Sequence, residues 1–355
     1  MNKFFYIFCI IVFLFKTQTV FSNNLIYDVN NIEVSGEIIK NLDKKKLIQS
    51  AFQKAFIVFV NKTLLKKDAI NLYKTKINTI EDLVFAYQIT KEDVNTKKEK
   101  VLTVNIKFDQ KKISNFLASN KISYADVSNI SLTLFPVLIN ENNVFMFNEN
   151  FFYNNWIKTE NETVNSNDIL ISYNLALENI EDLEYINSRK ENLELIDVKK
   201  LISLNEGDNY VLLLIYFTED KFRAYVKTSI ENKEIDKSFN LKIYPENKKK
   251  TYDKAILDIK EEIIQIWKSQ NLVDVSTPSF LDLFFEIKKM NDYLRLRNIF
   301  DSIDLIEDYS VSEMTNKYIK IRLKYKGKVN KLREKLLRNK INIKIEDSVW
   351  RTTIN

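Results

Sequence analysis

The sequence predicts an α+β fold, built as three small α/β sandwich domains with mostly antiparallel sheets, the last of them ferredoxin-like. The composition, 45% hydrophobic and 29% charged over 355 residues, is typical of a globular chain long enough for two or three domains. Strand patterns with alternating apolar residues recur between helix patterns with apolar residues three and four positions apart. Near the C-terminus these patterns follow one another in the order βαββαβ.

The first 22 residues predict a secretory signal peptide. Lys3 supplies the positive start, and Phe4–Phe15 forms an apolar stretch of twelve residues. That stretch is shorter than the ~20 residues that a membrane-spanning helix needs. We therefore expect cleavage after about Ser22 and a periplasmic protein; the alternative is an uncleaved segment that anchors the chain. Because Cys9 in the leader is the only cysteine, no disulfide is expected.

Residues 23–124 are predicted to form the N-terminal domain. The strand Ile32–Gly36 leads into an apolar helix over Asp43–Asn61, in which Ala51 and Ala55 would allow close packing. The other elements predicted here are the helices Asp68–Lys74 and Thr79–Phe85, the hairpin strands Phe85–Thr90 and Leu102–Phe108, and the helix Gln110–Ser119.

Residues 129–272 are predicted to form the middle domain. The apolar strand Ile130–Ile139 contains Pro136, which favours an edge strand or a bulge. An amphipathic helix, Thr251–Ser269, closes the domain. The strands Tyr210–Phe217, Phe222–Ile230 and Phe239–Tyr244 are expected to form an antiparallel meander.

Residues 278–355 are predicted to form the ferredoxin-like domain. Its expected elements are strand Phe280–Ile287, helix Asp292–Ile303, strands Leu305–Val311 and Tyr318–Tyr325, helix Lys328–Asn339 and strand Ile341–Ile345. Both helices of such a fold cover one side of the sheet, so the other side is open unless something lies on it.

The residues that are missing exclude most catalytic chemistries. The chain has no histidine, and its mature part has no cysteine, which excludes Ser-His-Asp catalysis, thiol nucleophiles and the usual zinc sites. Three isolated glycines cannot form a phosphate-binding loop. We therefore expect a non-enzymatic protein without cofactor or metal. With so few glycines, turns that need a positive φ should fall on Asn and Asp.

Two acidic clusters leave carboxylate chemistry open. Paired acids can hydrolyse glycosidic bonds or bind calcium, so the alternative function is a carboxylate-dependent hydrolase of cell-wall or carbohydrate material. A solvated acidic surface is the interpretation that we favour for them. The clusters are Glu178, Glu181, Asp182 and Glu184, and Asp304, Glu307 and Asp308.

Three short basic runs are interpreted as solvated loops or as contacts with an anionic membrane surface. They are Lys44–Lys46, Lys97–Lys100 and Lys248–Lys250.

The open face of the last sheet is the candidate partner-docking face. Alternation places aromatic and basic side chains on it, beside Asp282 and Glu286. We expect a protein or domain to dock there; an ordinary solvated face is the alternative, and nucleic acid is not expected because the aromatic motif of RNA-recognition modules is missing. The candidate residues are Phe280, Phe284, Tyr318, Lys320, Arg322, Lys324 and Lys344.

Three stretches resemble a bacterial exported family known as domain of unknown function 2066. Ala51–Val60 is similar to the family's Ala-rich helix with its aliphatic end, Val101–Asp109 to its strand with Phe-Asp, and Leu132–Ile139 to an apolar strand. Phe59 and Lys62 stand where the family tends to have Arg and Gly, so the chain would be a divergent member. The resemblance implies an exported α/β envelope protein and transfers no catalytic residues. We expect a protein partner in the cell envelope and an assembly or accessory role.

Overall fold

The computed structural model describes residues 25–37, 41–96, 99–125, 129–141, 143–159, 170–201, 209–218, 220–274, 278–287, 289–346 and 349–354. The chain divides into two compact units. The larger unit comprises Val29–Pro278 with Lys326–Lys328, and the smaller one the described residues of Met1–Asp28, Ser279–Tyr325 and Val329–Asn355. The fold is α+β with mostly antiparallel sheets, as predicted. The boundary between the two units, after Pro278, coincides with the predicted start of the last domain. The first two predicted domains both lie in the larger unit. The predicted leader lies outside the described residues.

The first part of the larger unit packs a long helix against a sheet of order β1-β3-β2. Its elements are β1 (Asp28–Gly36), α1 (Asn41–Thr63), α2 (Lys66–Leu72), α3 (Ile77–Leu83), β2 (Val84–Val94), β3 (Lys100–Phe108), α4 (Gln110–Ser119) and β4 (Tyr124–Ala125). The rings of Phe56 and Phe59 on α1 contact Phe108 on β3, with centroids 6.2 and 5.3 Å apart. Ala51 and Ala55 are fully buried, which confirms the predicted orientation of α1.

The second part of the larger unit is a sheet of order β10-β9-β8-β5-β6, with β7 also paired to β5. Its elements are β5 (Ile130–Asn140), β6 (Asn143–Phe145), α5 (Phe151–Asn155), β7 (Ile171–Leu175), α6 (Ile180–Asn187), α7 (Val198–Leu201), β8 (Tyr210–Phe217), β9 (Phe222–Ile230), β10 (Lys233–Asn240), α8 (Lys248–Gln270) and β11 (Leu272–Val273). One face packs with Ile186 of α6, and on the other Tyr252 of α8 contacts the Phe217 and Phe222 rings. Strand β8 is therefore apolar along its whole length, because both faces of the sheet are covered.

Pro136 lies in a central strand, so the prediction of an edge strand is wrong. Strand β5 pairs with β8 on one side along Thr133–Asn140. On the other side its pairing with β7 ends at Leu134, and its pairing with β6 begins at Leu138. Pro136 falls in the gap between them, where the side-chain nitrogen of Asn150 donates to its carbonyl at 2.9 Å. A residue without an N–H is tolerated here because the ladder is interrupted at this point.

The third strand of the meander is Lys233–Asn240 rather than the predicted Phe239–Tyr244. It is a polar strand that pairs with β9 from Lys233↔Ile230 onwards. The two-residue turn before it has positive φ at Glu231 (51°) and Asn232 (63°), as a type I′ hairpin requires. Among the described residues the expectation that positive φ falls on Asn and Asp holds at Asn31 and Asn232. It fails at Lys121, Glu141, Phe147, Glu231 and Lys340.

Helix α8 explains why the first two predicted domains form one unit. Lys268 near its end is buried, and its ammonium group donates to the carbonyl oxygens of Asn61 and Leu64, the latter at 3.0 Å. A cation at the C-terminal end of α1 is favoured by the unpaired carbonyls and the helix dipole. The backbone N–H of Lys66 donates to the side chain of Gln265 on α8 at 2.9 Å, and β11 pairs with β4. Burial lowers the pKa of Lys268 to about 8.

The smaller unit contains the predicted βαββαβ order followed by one further strand. Its elements are a 3-10 turn (Leu25–Tyr27), β12 (Pro278–Glu286), α9 (Met290–Ser302), β13 (Ile306–Met314), β14 (Tyr318–Lys326), α10 (Val329–Arg338), β15 (Ile341–Glu346) and β16 (Val349–Ile354). The strand order is β13-β14-β12-β16-β15. A ferredoxin-like sheet would place β15 beside β12; here β16, which was not predicted, runs parallel to β12 and antiparallel to β15 in that position.

The smaller unit contains a buried ion pair, and Tyr27 near the described start of the chain forms a hydrogen bond to it. The ammonium of Lys335 on α10 lies 2.7 and 3.0 Å from the two carboxylate oxygens of Asp304. The Tyr27 hydroxyl donates to the same carboxylate at 3.2 Å. The Lys335 and Asp304 side chains are 10% and 1% exposed. Tyr27 is therefore part of the folded smaller unit, whereas the chain enters the larger unit at Val29.

Candidate protein-docking face

The alternation of β14 separates a core side from an open side. Ile319, Ile321 and Leu323 are buried, whereas Lys320 and Arg322 are exposed. The core side faces helix α9: Tyr309 on β13 lies opposite Leu323, and its ring contacts Phe300 of α9 at 5.5 Å. The side chains that alternate with this set lie on the face away from α9.

All seven candidate residues lie on this open face. Ring and guanidinium contacts place Phe280 and Phe284 of β12 beside the side chains of β14. Lys344 on β15 is exposed and lies opposite Arg351 of β16, which in turn lies opposite Phe284. The predicted set therefore shares one face of the sheet, with Arg351 between Lys344 and the others: Phe280, Phe284, Tyr318, Lys320, Arg322, Lys324 and Lys344.

Aromatic rings and arginines form the centre of the face. The Phe284 and Tyr318 rings stack with centroids 4.6 Å apart and planes 25° apart. The Arg351 guanidinium lies 5.0 Å from the Phe284 ring, and that of Arg322 lies 5.4 Å from the Phe280 ring. Phe280 remains 56% exposed. These contacts hold large flat side chains in one layer at the surface.

The charges on the face are paired across neighbouring strands. The Arg322 Nε lies 3.5 Å from Asp282, and the Lys324 ammonium lies 3.0 Å from Glu307. Arg351 lies 3.4 Å from both Glu286 and Glu346. Each basic group in these pairs faces an acid of the same sheet, so the face is not a basic stripe.

Glu313 on β13 organises one end of the face. Its carboxylate accepts hydrogen bonds from the Lys320 ammonium and the Tyr318 hydroxyl. The pKa of the Glu313 carboxyl is lowered mainly by the hydrogen bond from Lys320 and, to a smaller extent, by the hydrogen bond from Tyr318. The same carboxylate raises the pKa of Tyr318 and of Lys320. Tyr318 is thereby held in the position in which it stacks on Phe284.

Arg351 is the main residue of this face that the sequence interpretation missed. It contacts Phe284, Glu286 and Glu346, all of them on neighbouring strands. A signal was present, because Val349–Ile354 consists mainly of β-branched residues with one Trp, types that are enriched in strands. Placing that strand beside β12 required long-range pairing that no local pattern specifies.

The acids of the cluster near the last sheet have different partners and different exposure. Asp304 is buried against Lys335, whereas Glu307 pairs with Lys324 on the open face. In the other cluster Asp182 is buried on α6 and Glu181 is exposed. Burial raises the pKa of Asp182, a hydrogen bond from Asn179 lowers it, and the neighbouring Glu181 carboxylate raises it to a smaller extent.

The basic runs contact acids and aromatic rings. Lys44 and Lys100 both pair with Glu92, at 3.3 and 2.7 Å. Lys248 lies 5.6 Å from the Tyr252 ring. Residues 97 and 98 of the second run lie outside the described residues.

No protein-family model, curated protein or solved structure matches this chain. Within the described ranges, no group of three or more His, Cys, Asp or Glu residues is arranged to hold a metal ion. In the same part of the chain no helix combines the length and apolar character needed to cross a membrane. The candidate function is therefore argued from the geometry of the open face.

Proposed function

We propose that this chain is an exported, non-enzymatic protein of the cell envelope that acts through protein–protein contacts, in an assembly or accessory role, and that the open sheet face is its docking surface. The observation that carries the proposal is the layer of stacked aromatic rings and arginines at the centre of that face. Membership of the family of domain of unknown function 2066, as a divergent member, and a periplasmic location after leader cleavage are parts of the same proposal.

The side chains at the centre of the face are the types that dominate binding energy in protein interfaces. Tyr and Arg are enriched among interface hot spots, and aromatic residues in general are enriched in interface cores. Phe284, Tyr318 and Arg351 already hold one another in position. Pre-ordered side chains lose less entropy on binding, so a partner that covers them gains affinity.

The paired charges favour a protein over a polyanion as the partner. Nucleic acids and anionic membranes bind unpaired basic groups, and their affinity rises with the number of phosphates neutralised. Here Arg322, Lys324 and Arg351 each face a carboxylate of the same sheet. A protein surface with its own mixture of apolar, acidic and basic groups can exchange these pairs with little loss.

Site-specific photo-crosslinking in the native cell tests the proposal. A photoreactive phenylalanine analogue at Phe280, which is exposed at the edge of the stack, should give a discrete crosslinked protein. The same analogue at Leu337, which is 56% exposed on helix α10, is the matched control and should not give that product. Absence of a product from Phe280, or the same product from both positions, contradicts docking at the open face.

Two variants separate docking from folding. Phe284→Ala with Tyr318→Ala removes the stack, and Arg322→Glu with Lys324→Glu reverses two exposed charges. Both should abolish the crosslink from Phe280. The exposed ion pairs are worth ~0–1 kcal/mol each, so the charge-reversed protein should melt within a few degrees of the unaltered one. A crosslink that survives both double variants refutes the docking role of these residues.

A further inference from the structure

Helix α6 of the larger unit exposes aliphatic side chains beside acidic ones. Of its three acidic residues Asp182 is buried, together with Ile186, whereas Glu181 and Glu184 are exposed. Two aliphatic side chains also point outward: Ile180 is 75% exposed and Leu183 is 37% exposed. Single exposed apolar residues are common, whereas two that lie three positions apart on one helix are neighbours at its surface.

The neighbouring segments extend this exposed apolar surface. Leu177, in the non-helical segment just before α6, is 60% exposed. The 3-10 turn Lys190–Leu195, which follows α6, exposes Leu195 to 80%. The inward-facing residues of α6 and of this turn share one buried cluster, so the two segments lie side by side. We call Leu177, Ile180, Leu183 and Leu195 the α6 patch.

The surroundings of the α6 patch are acidic, although the whole chain carries a formal charge of +6. Residues 177–195 contain six acidic and two basic residues. Of the acids, Glu181, Glu184 and Glu191 are exposed, and Glu194 pairs with Arg223 at 2.9 Å. Arg189, one of the two basic residues, lies over the Tyr185 ring. An apolar centre with an acidic rim complements a surface that is apolar and basic, and it repels anionic lipid.

We propose that the α6 patch is the docking site for a basic amphipathic helix of a partner protein. The aliphatic residues of that helix would cover Ile180, Leu183 and their neighbours, and its lysines or arginines would face Glu181 and Glu184. Helix-in-groove and helix-on-patch recognition of this kind uses anchors three and four residues apart. The proposal is independent of the open sheet face, because a different compact unit carries it.

Peptide binding to the purified full chain tests the proposal. The probe is a fluorescent 18-residue helical peptide with a leucine face and a lysine face, and the control probe has glutamate in place of lysine. Fluorescence anisotropy should give at least tenfold tighter binding of the lysine peptide, and that binding should weaken as salt is raised. Equal binding of the two peptides, or no binding of the lysine peptide, overturns the proposal.

Variants locate the binding on the chain. Ile180→Ser with Leu183→Ser should weaken binding of the lysine peptide at least tenfold, because both apolar anchors are lost. Phe85→Ser changes an equally exposed apolar residue elsewhere in the larger unit (Phe85 is 68% exposed) and should leave binding unchanged. Glu181→Lys with Glu184→Lys reverses two charges of the acidic rim and should also weaken binding of the lysine peptide. This variant replaces the serine variant as the test if the serine variant does not fold. Equal effects of the serine variant and the Phe85 control, or no effect of the rim variant, refute the site.

Two sedimentation experiments with the same variants test for other occupants of the patch. Sedimentation velocity of the full chain would reveal a dimer that Ile180→Ser with Leu183→Ser dissolves, and this would assign the patch to a second copy. Patch-dependent sedimentation with phosphatidylglycerol vesicles would assign it to a lipid surface. Either result overturns the proposal of a basic helix.

Discussion

Removal of the buried ammonium of Lys335 should unfold the smaller unit selectively. Lys335→Met keeps most of the side-chain volume but takes the Lys335 ammonium away from the Asp304 carboxylate, which is 1% exposed. Breaking a buried ion pair from one side costs ~3–5 kcal/mol, because the charge that stays behind loses its partner. At a urea m-value of about 1.5 kcal/mol/M this lowers the unfolding midpoint by roughly 2–3 M. Domains of this size have few kcal/mol to lose, so the variant unit should be largely unfolded at low urea.

Fluorine NMR of protein labelled with 5-fluorotryptophan measures the effect unit by unit. The chain has three tryptophans, of which Trp350 lies in the smaller unit and Trp156 and Trp267 in the larger. Lys335→Met should shift the urea transition of the Trp350 resonance and leave the other two in place. The resonance of Trp350 is assigned with Trp350→Phe.

A double-mutant cycle completes this test. Asp304→Leu together with Lys335→Met replaces the pair with apolar residues and should recover most of the lost stability, because neither charge of the pair remains. Tyr27→Phe should cost about 1–2 kcal/mol, the usual value for a hydrogen bond to a charged group. The reasoning fails if Lys335→Met costs under about 1 kcal/mol, or if the double variant is no more stable than Lys335→Met.

Three further predictions concern the larger unit. The pKa of Lys268 is about 8 in the folded chain, whereas the ordinary pKa of a lysine is 10.5, so between these pH values the unfolded chain holds more protons. The free energy of unfolding should therefore rise by about 1–2 kcal/mol from pH 8 to 9.5, and urea titrations of Lys268→Met should lose this rise. Gly327→Ala should destabilise the larger unit by about 1–3 kcal/mol, because Gly327 has φ = +85° and an added Cβ would lie 2.9 Å from the side chain of Val273. In thermal melts, Val273→Ala in the same chain should restore only part of the lost stability, because it relieves the close contact but not the backbone strain. Glu231→Asn should raise stability by about 0.5–1 kcal/mol in urea titrations, because Asn tolerates the left-handed conformation of this turn, whereas Lys233→Asn at the start of the next strand should not.

The elements that the sequence predicted well are those whose pattern is local. Helices α1 and α8 have apolar residues on one face over many turns, and both are found within three residues of the predicted bounds. The candidate docking residues were also predictable, because strict alternation in Tyr318–Lys326 determines which side chains share a face. Their mutual contacts followed once β12 and β14 were neighbours.

The elements that the sequence did not predict depend on pairing between distant segments. Pro136 is accommodated in a central strand because β6 and β7 leave a gap beside it, and those strands are far apart in the chain. Strand β10 is polar because it lies at the edge of its sheet, so no apolar alternation marked it. Lys268 joins the first two predicted domains through carbonyl groups about two hundred residues away, a contact that no window of sequence contains.

The two proposed surfaces differ in chemistry in a way that bears on how the protein would work. On the open sheet face every arginine named above is paired with an acid of the same sheet, and the aromatic rings are stacked on one another. The α6 patch instead joins exposed aliphatic residues to an acidic rim. If both proposals hold, surfaces so different should select different partners, and because they lie on separate units a substitution in one should leave the fold of the other intact. If the chain bridges two partners, Phe284→Ala with Tyr318→Ala should remove the crosslinked partner but not the peptide binding, and Ile180→Ser with Leu183→Ser should do the reverse. Loss of both activities in either variant would instead mean that its substitutions disturb both units.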